Sequence, residues 1–260
     1  MDAVLEANTK CYQLWHHRRF VVERFASRGM RSRALELELG FLCAVLEEEP
    51  KHYHAWAHRQ WLVVAMGGPA TRWVPGELAF TASMLAADAL NNSAWNHRYF
   101  VLQRLAASMG TGGGQQNGKG QGEEDGSDCV DQAGDANATW QEEACFAMEV
   151  LRTCFENESA WTYLKALLFQ AGDAMGVPEG AHGALRAAVR RFCVEVAARE
   201  APRCCRNLAL AAEIDYAAGA AAGGADRIQS AVHLWRQVQR ADVIRRDFWQ
   251  LKIDRALART

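Results

Sequence analysis

A tryptophan-centred motif that recurs along the chain constrains the fold more than any other feature of the sequence. The motif Trp-x-His-Arg begins at Trp15 and returns at Trp56 and Trp95, with about 40 residues between copies. Trp161 begins a fourth copy that lacks the arginine, and Trp249 marks a weak fifth copy. Repeats of this length are typical of helical-hairpin arrays, in which each unit buries its apolar face only against its neighbours.

Each repeat predicts two helices. Apolar residues follow the first tryptophan at helical spacing, and a turn that contains Gly29 comes next. The second helix carries apolar residues at steps of three and four from Leu35 to Leu46, and Pro50 ends it. The next repeat follows the same pattern around a Gly-Gly-Pro break, and no run alternates like a strand. We therefore expect an all-α fold, a right-handed solenoid of stacked helical hairpins that forms one domain over residues 1–260.

Two intervals between tryptophans are longer than one repeat. Residues 110–138 are rich in Gly and acidic residues and poor in apolar ones, so they cannot bury enough surface to offset the entropy of ordering. We expect them to form a disordered insertion between two helices, where the chain tolerates extra length. The last interval fits two repeats, which predicts a degenerate copy near residues 195–215.

The composition argues against several classes of function. The formal net charge is -2 and the basic residues are scattered, so no basic field points to nucleic acid. The sequence has no apolar stretch long enough for a transmembrane helix and no signal peptide, so we expect a cytoplasmic protein. The eight cysteines are irregularly spaced without a C-x-x-C pair, which favours reduced thiols and no metal site. A zinc-dependent reaction would need its metal from a partner chain.

The recurring aromatic and basic residues suit packing between hairpins. A tryptophan at one position of each hairpin fills the gap to the next hairpin, and the arginine three residues later lies near the same helical face. A buried arginine must be paired with a carboxylate or a carbonyl. We therefore expect a structural role for the repeat residues Trp15, Arg18, Trp56, Arg59, Trp95, Arg98, Trp161 and Trp249.

The polar residues before the first two motifs suit a different role. Lys10, Tyr12 and Gln13 precede the first motif, and Lys51, His52, Tyr53 and His54 precede the second. These are helix starts, where free backbone N–H groups and a partial positive charge favour anions. A lysine and a phenol there can bind a phosphate or a carboxylate. Spacing alone favours the simpler alternative of solvated helix-start residues.

Longer strings in the sequence resemble a known family. NTKCYQLWHHRRFVVERF, PKHYHAWAHRQW, NNSAWNHRYFVL, NESAWTYLKALL and IRRDFWQLKI resemble, in this order, repeats of the α subunit shared by protein farnesyltransferase and geranylgeranyltransferase type I. The resemblance implies helical hairpins that wrap a β subunit, an α-α barrel with the catalytic zinc and the isoprenoid pocket. It also implies transfer of a farnesyl or geranylgeranyl group from its diphosphate, which magnesium can accompany, to the cysteine thiolate of a C-terminal CaaX sequence.

The resemblance also implies roles for the residues at the helix starts. Lys10 matches the lysine that contacts the diphosphate, where it would stabilise charge growing on the leaving group. Tyr12 and Tyr53 match tyrosines that line the diphosphate region. Gln13 matches the glutamine that hydrogen-bonds the carboxylate of the CaaX substrate, and His54 matches a histidine beside the same site.

Three departures from the family pattern accompany these matches. Cys11 and His52 stand where the family usually has Asn. Family members usually carry further hairpins before the lysine motif, whereas residues 3–7 resemble the second helix of a missing hairpin. The sequence is then either a fragment, or a partner covers this end.

Two alternatives stay open: the α subunit of Rab geranylgeranyltransferase, and a non-catalytic helical scaffold. The retained polar residues favour the CaaX-type subunit over a scaffold.

Overall fold

The structure, a computed structural model, describes residues 10–110, 132–171, 179–200 and 205–260. Over these ranges the regular secondary structure is helical and includes no strand, which confirms the all-α prediction. None of the described helices is long and apolar enough to cross a bilayer. The chain divides into two compact units, residues 1–114 and 115–260. The single domain expected over residues 1–260 stays a prediction, because compactness does not decide whether two units fold cooperatively.

The described part of the first unit, residues 10–110, contains two helical hairpins and one further helix. Gly29 and Gly68 make the hairpin turns with φ of 81° and 75°, a backbone conformation that side chains with a Cβ rarely adopt. Both glycines lie in turns that the sequence predicts. The helices of this unit are α1 (Tyr12–Phe25), α2 (Arg31–Glu48), α3 (Tyr53–Met66), α4 (Ala70–Ala87) and α5 (Asn92–Gly110).

The second unit contains six α-helices in its described ranges. Its apolar core includes Trp235 and Trp249, which pack with Ile228 and Ile253. The degenerate copy expected near residues 195–215 falls on the end of one helix and the start of the next. The helices are α6 (Gln132–Thr153), α7 (Glu158–Ala166, continued by a π-helical turn over Leu167–Ala171), α8 (Glu179–Glu200), α9 (Cys205–Ala222), α10 (Ala225–Ala241) and α11 (Arg246–Leu257).

The Gly-rich insertion is bounded by helices. Helix α5 ends at Gly110, and α6 begins at Gln132, so the last residues of the expected insertion belong to a helix. Residues 111–131 lie outside the described ranges. The disorder expected over residues 110–138 therefore stays a prediction for that stretch.

A buried carboxylate joins consecutive hairpins in the first unit. Glu38 on α2 accepts hydrogen bonds from Nε and Nη2 of Arg18 at 2.5 and 2.9 Å, and its Oε1 lies 2.7 Å from Nε2 of His58 on α3. All three side chains are buried. Because a buried charge left without a partner is strongly destabilising, this contact fixes α1, α2 and α3 relative to one another.

The same contact recurs along the chain. One repeat later, Nε and Nη2 of Arg59 both lie 2.8 Å from Glu77, and Nε2 of His97 lies 2.6 Å from the same carboxylate. In the second unit, Tyr163 takes the place of the histidine and donates to Glu143. The carboxylate precedes its histidine or tyrosine by 20 residues in all three cases. The repeat is therefore held together by polar groups as well as by tryptophans.

Candidate functional site at the first helical turns

The residue four positions before a motif tryptophan is the N-cap of the first helix in its repeat. Asn91 and Asn157 cap through Oδ1 at 3.2 and 3.1 Å, and His52 caps through Nδ1 at 3.1 Å. Each accepts the backbone N–H three residues onward, which satisfies one of the unpaired donors of a helix start. Cys11 holds this position before α1 but forms no side-chain cap, and its thiol donates to Oε1 of Gln13 at 3.0 Å.

The four motif tryptophans from Trp56 onward each fix the turn that precedes them. The indole Nε1 of Trp56, Trp95 and Trp161 donates to the backbone carbonyl six residues earlier, at 2.9, 2.9 and 2.6 Å. Trp249 donates to Oδ2 of Asp242 at 3.0 Å instead. These rings and Trp15 are buried, and Arg18, Arg59 and Arg98 are buried with them. The motif tryptophans and arginines therefore lie in the interior together with the capping residues, and only part of each helix start is exposed.

Lys10 lies in the turn before α1 and is 81% exposed, with Nζ 3.6 Å from Oε1 of Glu49. Lys51 repeats this arrangement before α3, 3.6 Å from Oδ2 of Asp88. Exposed ion pairs of this kind contribute about 0–1 kcal/mol, so the fold gains little from either lysine. A cation next to a helix N-terminus also opposes the helix dipole. An anion bound there would give the lysine a stronger partner and would interact favourably with the helix dipole.

The other site residues lie on the first turns of α1 and α3. The phenols of Tyr12 and Tyr53 are 59% and 77% exposed, and Gln13 is exposed beside the first of them. The ring of Trp15 stacks on His54 with 6.4 Å between centroids, and His54 contacts Tyr53 at 5.3 Å. The structure thus brings the first turns of α1 and α3 together. It pairs Lys10 with Glu49 and not with this aromatic group.

The residues of these two turns that reach the surface form a polar strip, defined here as Lys10, Tyr12, Gln13, Tyr53 and the half-buried His54. The strip offers an ammonium, two phenols, an amide and an imidazole, groups that donate hydrogen bonds to anionic oxygens. None of them is needed to fill the interior between the hairpins. The strip can therefore bind a phosphate or a carboxylate presented by another molecule.

The carboxylates that join the hairpins are the functional residues that the sequence argument missed. Glu38, Glu77 and Glu143 each stand in a helix that reads as apolar on one face, and their burial is not visible from the apolar spacing. The recurrent distance of 20 residues to the motif histidine or tyrosine would have identified them. Within the described ranges, no three His, Cys, Asp or Glu side chains come together as metal ligands would.

Comparisons with known proteins agree with this geometry. Four segments, residues 1–25, 35–66, 74–105 and 140–171, match the family described as the protein prenyltransferase alpha subunit repeat. The protein farnesyltransferase/geranylgeranyltransferase type-1 subunit alpha of Pisum sativum is 36% identical over 91 residues, 35% of this chain and 20% of the relative. The Dictyostelium discoideum subunit of the same name is 35% identical over 92 residues, 35% of this chain and 21% of the relative. These alignments thus span about a fifth of the length of the curated relatives.

A solved structure supports the fold. A chain of Candida albicans protein geranylgeranyltransferase-I complexed with GGPP superposes with a TM-score of 0.65 at 19% identity, covering 98% of this chain and 70% of that chain. Because it covers 98% of this chain, the superposition extends beyond the four segments that match the family. The four matched segments show that the chain carries protein prenyltransferase alpha subunit repeats, and the recurring caps, indole contacts and buried carboxylates follow the same repeats.

Proposed function

We propose that the chain is the α subunit of a heterodimeric CaaX protein prenyltransferase and acts only together with a β subunit. The reaction joins a farnesyl or geranylgeranyl group to a C-terminal cysteine: the thiolate sulfur forms a bond to C1 of the prenyl group as the bond from C1 to the diphosphate oxygen breaks. The observation that carries the proposal is the polar strip, because four of its side chains are exposed and His54 is half-buried, while the motif tryptophans and arginines are buried. A helical scaffold has no structural need for such a set.

In this proposal, each strip residue meets one part of the substrates. Lys10 contacts the diphosphate and stabilises the charge that grows on it as the bond to C1 breaks. Tyr12 and Tyr53 line the same anionic region with their phenols. Gln13 hydrogen-bonds the C-terminal carboxylate of the CaaX substrate, and His54 lies beside it. These assignments rest on the resemblance of the helix-start strings and on the exposure of the side chains.

The metal belongs to the partner in this proposal. The described residues of this chain offer no cluster of metal ligands, so they do not fit a zinc ion. We place zinc, which activates the cysteine thiolate, in the β subunit, and magnesium with the diphosphate. The isoprenoid pocket also lies in the β subunit, so the partner chooses between farnesyl and geranylgeranyl. A heterodimer of this kind works in the cytoplasm, where its CaaX substrates are made.

Replacement of Lys10 tests the proposal. A charge-assisted hydrogen bond contributes about 1.5–3 kcal/mol, so Lys10→Ala should slow the chemical step roughly ten- to a hundredfold if the contact strengthens in the transition state. Lys10→Arg should recover part of the rate, because a planar guanidinium does not replace a compact ammonium. Affinity for the CaaX peptide should change little. The measurement is single-turnover kinetics of the reconstituted heterodimer, which separates chemistry from product release.

Lys51→Ala is the matched control for this experiment. Lys51 has the same position relative to its motif and the same kind of exposed ion pair, 3.6 Å from Asp88, so its removal costs the fold as much as removal of Lys10. We expect Lys51→Ala to leave the chemical step within about twofold of the wild type. An unchanged chemical step in Lys10→Ala, with the heterodimer intact, would leave the chain as a scaffold for its partner.

A further inference from the structure

A cavity of about 740 Å³ opens in the second unit between α8, α9 and α10. The short side chains of Ala217, Ala218 and Ala221 on α9 line it. A Cβ added to Gly219 would lie 2.8 Å from Cγ1 of Ile228, so α9 and α10 are already in close contact there. The cavity therefore exists because the side chains that line it are small, and not because α9 and α10 lie far apart. Its volume is within the range of about 300–1,000 Å³ that small-molecule sites occupy.

The lining of this cavity carries more positive than negative charge. Its basic residues are Arg186, Arg190 and Arg191 on α8 and Arg227 on α10, and its acidic residues are Asp215 and Asp226. Arg227 is 3.9 Å from Asp215, beyond hydrogen-bond distance. Arg186 donates to the backbone carbonyl of Leu168 at 3.2 Å, which is an uncharged acceptor. The arginine cavity, named for these four residues, therefore has an excess of guanidinium groups.

Arg190 is held in place at the edge of the arginine cavity. Its Nε and Nη2 lie 2.5 and 2.7 Å from the two carboxylate oxygens of Asp215, and Ser230 donates to the same carboxylate at 2.7 Å. The side chain of Asp215 is 2% exposed, whereas that of Arg190 is 34% exposed. Among the described residues, Nη1 of Arg190 has no hydrogen-bond acceptor, although a guanidinium carries five N–H donors. One edge of a fixed guanidinium is thus available to a ligand.

This ion pair differs from the buried pairs of the first unit in the exposure of its arginine. There the arginine is on the first helix of a hairpin and the glutamate is on the second, and the arginine side chains are only 9% and 4% exposed. Here the arginine is on α8 and the acid is on α9, and the guanidinium stays partly open. A closed structural pair needs no further partner, whereas this one leaves donors facing a cavity.

We propose that the arginine cavity binds a phosphate ester. Its phosphate oxygens would accept from Arg190, Arg191 and Arg227, because the planar guanidinium fork matches phosphate geometry. The body of the ester would lie along the alanine wall, which offers contact but no hydrogen bonds. A soluble phosphate ester and the headgroup of an anionic lipid present the same chemistry. None of these residues has a role in the proposed prenyl transfer, so the two proposals stand separately.

Direct binding to the full chain, purified with its β subunit, tests the proposal in two arms. The soluble probe is phenyl phosphate, measured by titration calorimetry at constant ionic strength. The lipid probe is a phosphatidylcholine vesicle with or without phosphatidylinositol 4-phosphate, measured by co-sedimentation. We expect the wild type to bind at least one probe, and Arg191→Gln with Arg227→Gln to weaken that binding at least tenfold. Arg190 is kept, because its removal would leave Asp215 buried without its arginine.

Two control variants make the outcome decisive. Arg199→Gln removes one positive charge from α8 at an exposed residue outside the cavity, as Arg191→Gln does inside it, so we expect binding within about twofold of the wild type. Binding that is lost in Lys10→Ala but kept in Arg191→Gln with Arg227→Gln would come from the polar strip and would overturn the proposal. Binding of phenyl phosphate identifies a soluble ester, and binding of the vesicles alone identifies a lipid headgroup. Absence of binding in both arms, or an equal loss in Arg199→Gln, would overturn the proposal.

Discussion

Three histidines close together in the sequence illustrate how position decides the role of a residue. His52 accepts a backbone N–H through Nδ1, so that nitrogen carries no proton. His58 is fully buried, and burial lowers its pKa more strongly than its hydrogen bond to Glu38 raises it. It is therefore neutral near pH 7 and donates Nε2–H to that carboxylate. His54 stacks on Trp15 at the surface strip.

The pKa values of the buried glutamates are shifted in the opposite direction from the shift that burial alone would produce. Burial acts to raise the pKa of Glu38 and of Glu77, but the hydrogen bonds that each accepts from a histidine and an arginine outweigh it. The pKa of each carboxyl therefore lies below its ordinary value of 4.5. Both carboxylates stay charged when the protein is folded at neutral pH.

These shifts predict that acid destabilises the fold in two stages. His58 has a folded pKa below its ordinary 6.5, so its contribution is complete above pH 6.5 and is lost as the pH falls from there towards the folded value. Glu38 and Glu77 contribute fully above pH 4.5 and lose that contribution as the pH falls through their lowered values. Each proton taken up on unfolding costs about 1.4 kcal/mol per pH unit. Urea unfolding between pH 7.5 and 2.5, followed by tryptophan fluorescence, measures both stages.

Glu77→Gln and Glu36→Gln provide the comparison for this pH series. Glu77→Gln should lower the free energy of unfolding at pH 7 by about 3–5 kcal/mol, because Arg59 is left buried without its carboxylate. It should also make the further loss of stability below pH 4.5 smaller, because one of the two glutamates no longer titrates. Glu36→Gln alters an exposed pair with Arg33 and should leave the curve within about 0.5 kcal/mol of the wild type. A wild-type stability that stays level from pH 7 to 4 would contradict the assignment.

At the scale of helices, the repeat depends on its N-caps as much as on its apolar faces. The backbone at Cys11 has φ -82° and ψ 105°, close to the -66° and 98° of the capping Asn157. Helix α1 therefore has the geometry of a capped start without the cap. The Cys11 thiol lacks the acceptor strength of an amide or imidazole, and it bonds to Gln13 instead.

We expect Cys11→Asn to stabilise α1 by about 0.5–2 kcal/mol, because the asparagine would supply the side-chain acceptor that this helix start lacks. Thermal unfolding and hydrogen exchange of the first turn of α1 measure the gain. Cys145→Asn makes the same change at an exposed position inside α6, where no helix start needs a cap, and should give no gain. A loss of stability in Cys11→Asn would show that the thiol contributes more than its position indicates.

At the scale of the whole molecule, each unit exposes large apolar side chains. Phe20, Leu37 and Tyr53 are more than half exposed in the first unit, and Val243 and Ile244 are more than half exposed in the second. Patches of this kind on a helical repeat are typical of surfaces that a partner covers. An obligate partner would bury more than about 2,000 Å² in total.

We therefore expect the chain to aggregate when expressed alone and to form a one-to-one complex with a CaaX-type β subunit. Size-exclusion chromatography with light scattering measures the mass of each species, with the chain alone and with a Rab-type β subunit as comparisons. Binding only the Rab-type subunit would favour the alternative α subunit. A monodisperse monomer that binds neither subunit would contradict the heterodimer and favour the non-catalytic scaffold.

The sequence by itself determined the class of fold and the hairpin turns of the first two repeats. Spaced tryptophans and apolar steps define helical hairpins locally, and glycine and proline mark their ends because few other residues adopt or tolerate those backbone conformations. Gly29 and Gly68 accordingly stand at turns where the sequence placed them. The helix-start strip was also visible, since its residues lie next to the motif in the chain.

Only the tertiary structure decided which polar groups meet. Glu38 reads as a surface residue of an apolar helix, yet it is buried because Arg18 and His58 approach it from two other helices. The arginine cavity is likewise assembled from α8, α9 and α10, so its charge excess is invisible in a sequence whose net charge is nearly balanced. Local periodicity fixes which face of a helix is apolar, but pairing of buried charges depends on distances between helices that are far apart in the chain.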